Sequence, residues 1–356
     1  MNWLGPAMVG FVTTGTLMLA LRPLAVACGF TVGPGGRKSH IGEVPVIGGV
    51  AMFFGMIAGL ALVPNASHDF LFMFLAGGIL LVVGVIDDKR HVSFVVRIGA
   101  HTIAATVLVW GGGLLITDLG NLLGSGAVQL GSFAFAFTVL ICISVINAFN
   151  FADGIDGLAA SLAAIAIGSV AIVSSSFDAS IFLTGIVACA AILGFLLFNF
   201  PVFFNRKFYS FMGDAGSTLL GIIVFGLTVC VSQGEARPIS PVVGLWFVLV
   251  PLADFFTCII RRIAKGKSPF NPGREHLHFI LLRGKLSVRQ ALLILTSFGV
   301  AYAGIALLAN SLGVPDVVMF GGWVMLISVQ YPLVKKIALT ARSRCWKRLR
   351  AAKLTA

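Results

Sequence analysis

The chain has 356 residues, of which 58% are apolar (AVILMFWYC) and only 11% charged, with a formal net charge of +12. Soluble domains carry roughly 25% charged residues, so the composition excludes an ordinary soluble enzyme. A mean hydropathy of +1.02 also excludes disorder and points to a polytopic membrane protein.

A membrane-crossing helix needs about 20 mostly apolar residues. Eleven such segments are expected, at 4–28, 46–63, 70–86, 98–116, 133–149, 159–176, 179–198, 217–233, 241–260, 290–309 and 317–334. The fold class is therefore all-α, a polytopic bundle of about eleven transmembrane helices. Residues 1–334 are expected to form one membrane domain, and 335–356 a basic cytoplasmic tail. The first basic residue is Arg22, so no positively charged region precedes the first apolar segment, which is expected to stay in the membrane. Cys28, Cys142, Cys189, Cys230 and Cys258 fall in apolar stretches. With Cys345 they form no C-x-x-C pair, so they read as small core residues.

Lys and Arg collect in alternate loops. Of the 25, 23 fall on one side, Arg22 lies near the same end of the first span, and Arg237 alone falls opposite. That side is expected to be cytoplasmic, with the N-terminus periplasmic and the C-terminus cytoplasmic. The net charge is thus the bias of a protein bordered by anionic inner-membrane lipid, and implies no nucleic-acid partner. The outer loops at 64–69, 117–132, 233–240 and 310–316 hold no cluster of reactive types.

The inner loops carry the chemistry. In the first, Arg37, Lys38 and His40 suit phosphate, and Gly48–Gly49 permits close backbone approach; a simple basic turn is the alternative. The second pairs Asp87 with Asp88. A charge near hydrocarbon costs on the order of 3 kcal/mol at the bilayer centre and less at the interface. The pair is either neutralised by Lys89 and Arg90 or is a metal or proton site beside phosphate. The third reads N-A-F-N-F-A-D-G-I-D-G-L over residues 147–158. Asn147 and Asn150, like Asp153 and Asp156, are three apart and share a face on a helix, although Gly154 and Gly157 argue for a turn. Four oxygen-bearing side chains with no cation in the loop suit a hard ion such as Mg²⁺; helix caps are the alternative. The fourth, F-M-G-D-A-G-S at 211–217, puts Asp214 at a helix start, as an N-cap or as a metal ligand whose glycines admit a diphosphate. The fifth, 261–278, is basic and broken by Pro and Gly, and ends in His276-Leu277-His278. Without a nearby Cys or third His this favours phosphate binding over zinc. Asp254, within the ninth span, either pairs with Arg261 or Arg262 or bears on the site.

Together these loops resemble the polyprenyl-phosphate N-acetylhexosamine-1-phosphate transferases, most closely their WecA-type branch, over nearly the whole chain and with five motifs in family order. The resemblance implies transfer of N-acetylglucosamine-1-phosphate from UDP-GlcNAc to undecaprenyl phosphate with release of UMP, as the first membrane step of a cell-surface glycan of O-antigen type. It implies Mg²⁺, with Mn²⁺ as a substitute ion, and leaves a homodimer open. It places the active site on the cytoplasmic face of the bacterial inner membrane. By the resemblance, Asp87 and Asp88 are the paired acids that act on the lipid phosphate, and Asn150 and Asp214 are the metal ligands. Asp153, Asp156 and Phe211 lie around the uridine and diphosphate, with Asp156 counted among the catalytic acids. Lys38, Asn147, Arg274, His276 and His278 bind substrate. Two positions depart from the family pattern: His91 stands where a third Asp is usual, and Phe279 replaces the last His of H-x-H-H. The expected reaction is one in-line displacement at the β-phosphorus. Rival readings are a phospho-N-acetylmuramoyl-pentapeptide transferase or another UDP-N-acetylhexosamine specificity and, from another class, a secondary transporter.

Overall fold

The computed structural model describes residues 3–33, 43–63, 68–201, 209–268, 273 and 275–354; Lys38 and Arg274 lie outside them. Helix α1 (Leu4–Ala27) is followed by a two-stranded antiparallel hairpin, β1 (Thr31–Val32) and β2 (Val44–Pro45). Then come α2 (Gly48–Leu60), α3 (His68–Arg90) and α4 (Phe94–Thr106), the last extended by a π turn (Val107–Gly111). The remainder is α5 (Ala134–Ala152), α6 (Leu158–Ser174), α7 (Ala179–Asn199), α8 (Gly213–Ser232), α9 (Pro241–Phe247), α10 (Leu249–Ala264), α11 (Leu277–Arg283), α12 (Val288–Ser311) and α13 (Asp316–Leu354).

Among the described residues eight helices are long and apolar enough to cross a membrane. The α9–α10 pair, bent by 83°, makes a ninth if counted as one span, and α2 and α6 are shorter apolar helices. Every expected span therefore falls on helix. The last span and the basic segment after it form the single helix α13.

The arrangement is organised around α8, which is almost wholly buried and packs against α2, α3, α5 and α6. Small residues let two neighbours approach its first turn to backbone contact. A side chain at Gly84 of α3 would collide with the backbone of Ala215, and one at Gly49 of α2 with that of Gly216. Gly84 precedes Asp88 by one helical repeat, so both lie on the face of α3 turned to α8. The hairpin joins the same end: Val46 pairs with Phe211, and Gly48 and Gly49 donate backbone N–H bonds to the carbonyls of Phe211 and Met212 at 3.0 and 3.1 Å.

At the other end Arg237 is paired. Its Nη1 lies 2.9 and 2.7 Å from the two oxygens of Asp118, so the ion pair clips two loops together.

Replacing Gly84 with Val should lower stability by about 1–3 kcal/mol, the usual cost of overpacking a close contact. It should also abolish any activity that depends on the α3–α8 junction. Gly99→Ala, where nothing lies within 4 Å of the added Cβ, should leave the apparent Tm of the detergent-solubilised protein unchanged, and comparison of the two melting curves checks this.

Candidate active site

The motif-bearing ends of α3, α4, α5, α8 and α10 and the start of α11 surround a cavity of about 480 Å³. Asp87, Asp88, Asp153 and Asp214 line it, together with Arg97 and Arg262.

The acidic side is built on the start of α8. Asp88 accepts hydrogen bonds from the backbone N–H groups of Asp214 at 3.0 Å and Ala215 at 3.4 Å. A carboxylate from α3 thereby satisfies two of the unpaired donors at this helix N-terminus and complements its dipole. Gly213 has φ +74° and lies against Asp88 and Val46, so a side chain there would be strained and would displace the cap. Asp214 is thus not its own helix's cap, and the anion at the N-terminus of α8 is the Asp88 carboxylate. The Asp214 side chain instead faces the cavity. Its Oδ1 accepts from Asn150 Nδ2 at 2.9 Å, and its Oδ2 lies 3.8 Å from Arg97 Nη1. The same Arg97 nitrogen is 3.3 Å from Asp87 Oδ2, while Asp87 Oδ1 accepts from Val92 N at 2.8 Å. Arg97 therefore bridges the second and fourth motifs.

The third motif is a helix end followed by a turn. Asn147 and Asn150 lie on the last turns of α5, the chain turns over 153–157, and α6 begins at Leu158. Asn147 Nδ2 meets His101 Nδ1 at 3.2 Å, and Asn150 Nδ2 also reaches Ser217 Oγ at 3.0 Å. The turn is clamped from behind by buried Asn199, whose Oδ1 accepts from Gly157 N at 2.7 Å and whose Nδ2 donates to the Ser210 carbonyl at 2.9 Å.

The fifth motif supplies the opposite wall. Asp254, Cys258 and Arg262 recur every four residues and form the buried face of α10. Asp254 engages His276, not Arg261 or Arg262: its Oδ2 lies 3.1 Å from His276 Nδ1, and its Oδ1 accepts from Leu277 N at 3.0 Å. Arg262 Nε donates to Glu275 Oε2 at 3.3 Å. The rings of His276 and His278 are nearly parallel, 5.9 Å apart. His278 abuts Gly154, which joins this motif to the third. His278 Nε2 is buried without a hydrogen-bond partner among the described residues, and burial pushes its pKa down from 6.5 to about 4.

Asp87, Asp88, Asn147, Asn150, Asp153, Asp214, His276 and His278 therefore share one cavity. Asp156 and Phe211 are not on its wall. Asp156 sits half-buried in the turn beyond Asp153, and Phe211 is buried against Val44, Val46 and Tyr209. Sequence reading gave no site role to Arg97, Arg262 or Asn199. For Arg97 a signal exists: it lies four residues before His101 in an otherwise apolar helix, and paired ionisable groups in such a helix mark function.

The donor set fits Mg²⁺. Asn150 and Asp214 are in direct contact through Asn150 Nδ2, and the Asp214 carboxylate and the Asn150 amide oxygen are donor types that suit a hard cation, beside further carboxylates. Among the described residues no three His, Cys, Asp or Glu side chains form a cage of their own. Mg²⁺ commonly takes one or two protein carboxylates and completes its shell with phosphate and water.

The family model described as glycosyl transferase family 4 matches residues 70–232, a stretch containing the second, third and fourth motifs. The undecaprenyl-phosphate α-N-acetylglucosaminyl 1-phosphate transferase of Escherichia coli K12 is 34% identical over 325 residues, 89% of this chain and 85% of the relative. The enzyme of the same name from Yersinia pestis is 30% identical over 346 residues, covering 96% and 94% of the two chains. That from Pasteurella multocida is 34% identical over 321 residues, 89% of each.

The depressed pKa of His278 has a consequence for stability. The unfolded chain takes up this proton more readily, so the stability contributed by the neutral ring is complete above pH 6.5. It declines as pH falls toward 4, by on the order of 3 kcal/mol at most. The apparent Tm of the solubilised protein should fall across that window more steeply than that of His278→Leu, as parallel melts at stepped pH would record.

Proposed function

Because the chain belongs to the glycosyl transferase family 4 group that contains the undecaprenyl-phosphate α-N-acetylglucosaminyl 1-phosphate transferases, we propose that it transfers N-acetylglucosamine-1-phosphate from UDP-GlcNAc to undecaprenyl phosphate and releases UMP. The observation that carries this is the contact between Asn150 and Asp214, 64 residues apart in sequence, inside a cavity that also holds the paired acids and the H-x-H segment. A basic-side cavity at the helix ends suits a donor that arrives from the cytoplasm and a lipid acceptor held in the inner membrane.

Asn150 and Asp214 are the residues that would hold Mg²⁺, which when bound offsets the charge of the diphosphate and of the departing nucleotide. Asp88 holds the first turn of α8 and so fixes where Asp214 points. Both Asp88 oxygens accept backbone N–H bonds of α8, so on this reading its role is to cap that helix. Arg97 keeps Asp87 and Asp214 together despite their like charge. Arg262, His276 and His278 face the acids across the cavity and supply the groups that bind phosphoryl oxygens. The lipid phosphate is the nucleophile. A phosphomonoester has its second pKa near 6, so it is mostly dianionic at pH 7 and needs no strong base. Asp87 therefore orients it and takes the residual proton below that pKa.

Purified protein given undecaprenyl phosphate, Mg²⁺ and a panel of UDP-sugars should yield UMP and a lipid product whose mass identifies N-acetylglucosamine-1-phosphate. Chelation should stop the reaction and added Mg²⁺ restore it. Asp214→Asn should lower kcat by about 10²- to 10³-fold, the range for losing a major charge-stabilising group. Saturable flux of a solute through proteoliposomes without UMP release would favour a transporter instead.

A further inference from the structure

Asp254 is a carboxylate with only 6% exposure, inside a helix of apolar neighbours. Such a group needs hydrogen-bond partners, and it has two: the His276 ring through Nδ1 and the backbone N–H of Leu277. Both belong to the start of α11, where His276 is the residue preceding the first turn. The nearby arginines are engaged with another residue. Arg262 pairs with Glu275, and Arg261 donates to the Glu275 carbonyl at 2.8 Å while its guanidinium stacks 3.8 Å above the Tyr331 ring. The His276 ring is further confined by Phe151, with centroids 5.1 Å apart, and by the parallel ring of His278.

We infer that Asp254 is a positioning residue for the transfer reaction: it fixes the His276 ring with Nδ1–H directed at its own carboxylate and leaves Nε2 as the nitrogen that meets phosphate in the cavity. This rests on the transferase reading given above. The proton balance follows from the partners. An ionised carboxylate only accepts, so the proton between the pair sits on Nδ1. The neutral ring then offers a lone pair at Nε2. A second proton taken up by the ring goes onto Nε2, where the N–H can donate to a phosphoryl oxygen. Asn at position 254 disturbs this without emptying the space. Its oxygen can keep the bond from Leu277 N while its amide donates to Nδ1, which moves the ring proton of the neutral form to Nε2 and removes the adjacent negative charge.

The test uses the full-length protein with ¹⁵N-labelled histidine in micelles. The His276 signals are assigned by their loss in His276→Ala. Nδ1-protonated His276 in the unaltered protein, shifting to the Nε2-protonated form in Asp254→Asn, supports the assignment; an unprotonated Nδ1 in the unaltered protein overturns it. Turnover gives a second readout. Asp254→Asn should lower kcat about 10- to 100-fold, as when the group orienting a working imidazole is lost. It should cause no further loss in the His276→Ala background. An equal drop in both backgrounds would mean that Asp254 acts through structure alone and would reject the inference. If the unaltered protein turned over no UDP-sugar, the transferase reading would fail, while the ring measurement, which needs no substrate, would still decide whether Asp254 orients His276.

Discussion

The site depends on one interaction, the Asp88 carboxylate set against the N-terminus of α8. An N-terminal turn buried among other helices leaves N–H groups that must find acceptors, and its dipole favours a negative one. Here the acceptor comes from a different helix, which is possible only because Gly84, Gly49 and Gly213 leave no side chains in the way. Once the two helix ends are joined, the position of Asp214 follows, and with it the contacts to Asn150 and Arg97.

The cavity divides by charge. Its acidic wall comes from α3, α5 and α8, and its basic wall from α10 and α11. Several carboxylates close together at a membrane boundary are unfavourable unless cations compensate them. Arg97 serves two of them, and on the proposed reading the ion that accompanies the nucleotide serves the rest. The stretch matched by the family model ends at residue 232, so it contains the acidic wall, while His276 and His278 lie beyond it. The two walls meet where His278 lies against Gly154.

Buried amides do for the loops what Asp88 does for the helices. Asn199 links the turn after α5 to the strand-like entry into α8, and Ser210 carries the connection on to the Pro45 carbonyl of the hairpin at 2.8 Å. In a water-poor setting each unpaired backbone group is costly. A single amide that satisfies two loops therefore fixes their spacing more firmly than apolar packing alone.

Much of this was legible in the linear chain. Runs of apolar residues determined where the helices lie, because bilayer thickness sets a length that composition reveals, and each of the eleven expected segments is helical. The motifs pointed to most of the polar residues that line the cavity, since acids, amides and histidines at hydrocarbon boundaries are costly without partners. What the tertiary structure decided is the division of labour. Asp87 and Asp88 are adjacent in sequence, yet one meets Arg97 and the other caps a distant helix. Asp254 turns to a histidine 22 residues away in preference to the arginines about two turns on. Asp156, in the same motif as Asp153, stays off the cavity wall. Local sequence could not decide these cases, because a side chain's partner is set by which helices approach closely enough to touch; for Asp88 that closeness depends on small residues, Gly49 against Gly216 and Gly84 against Ala215.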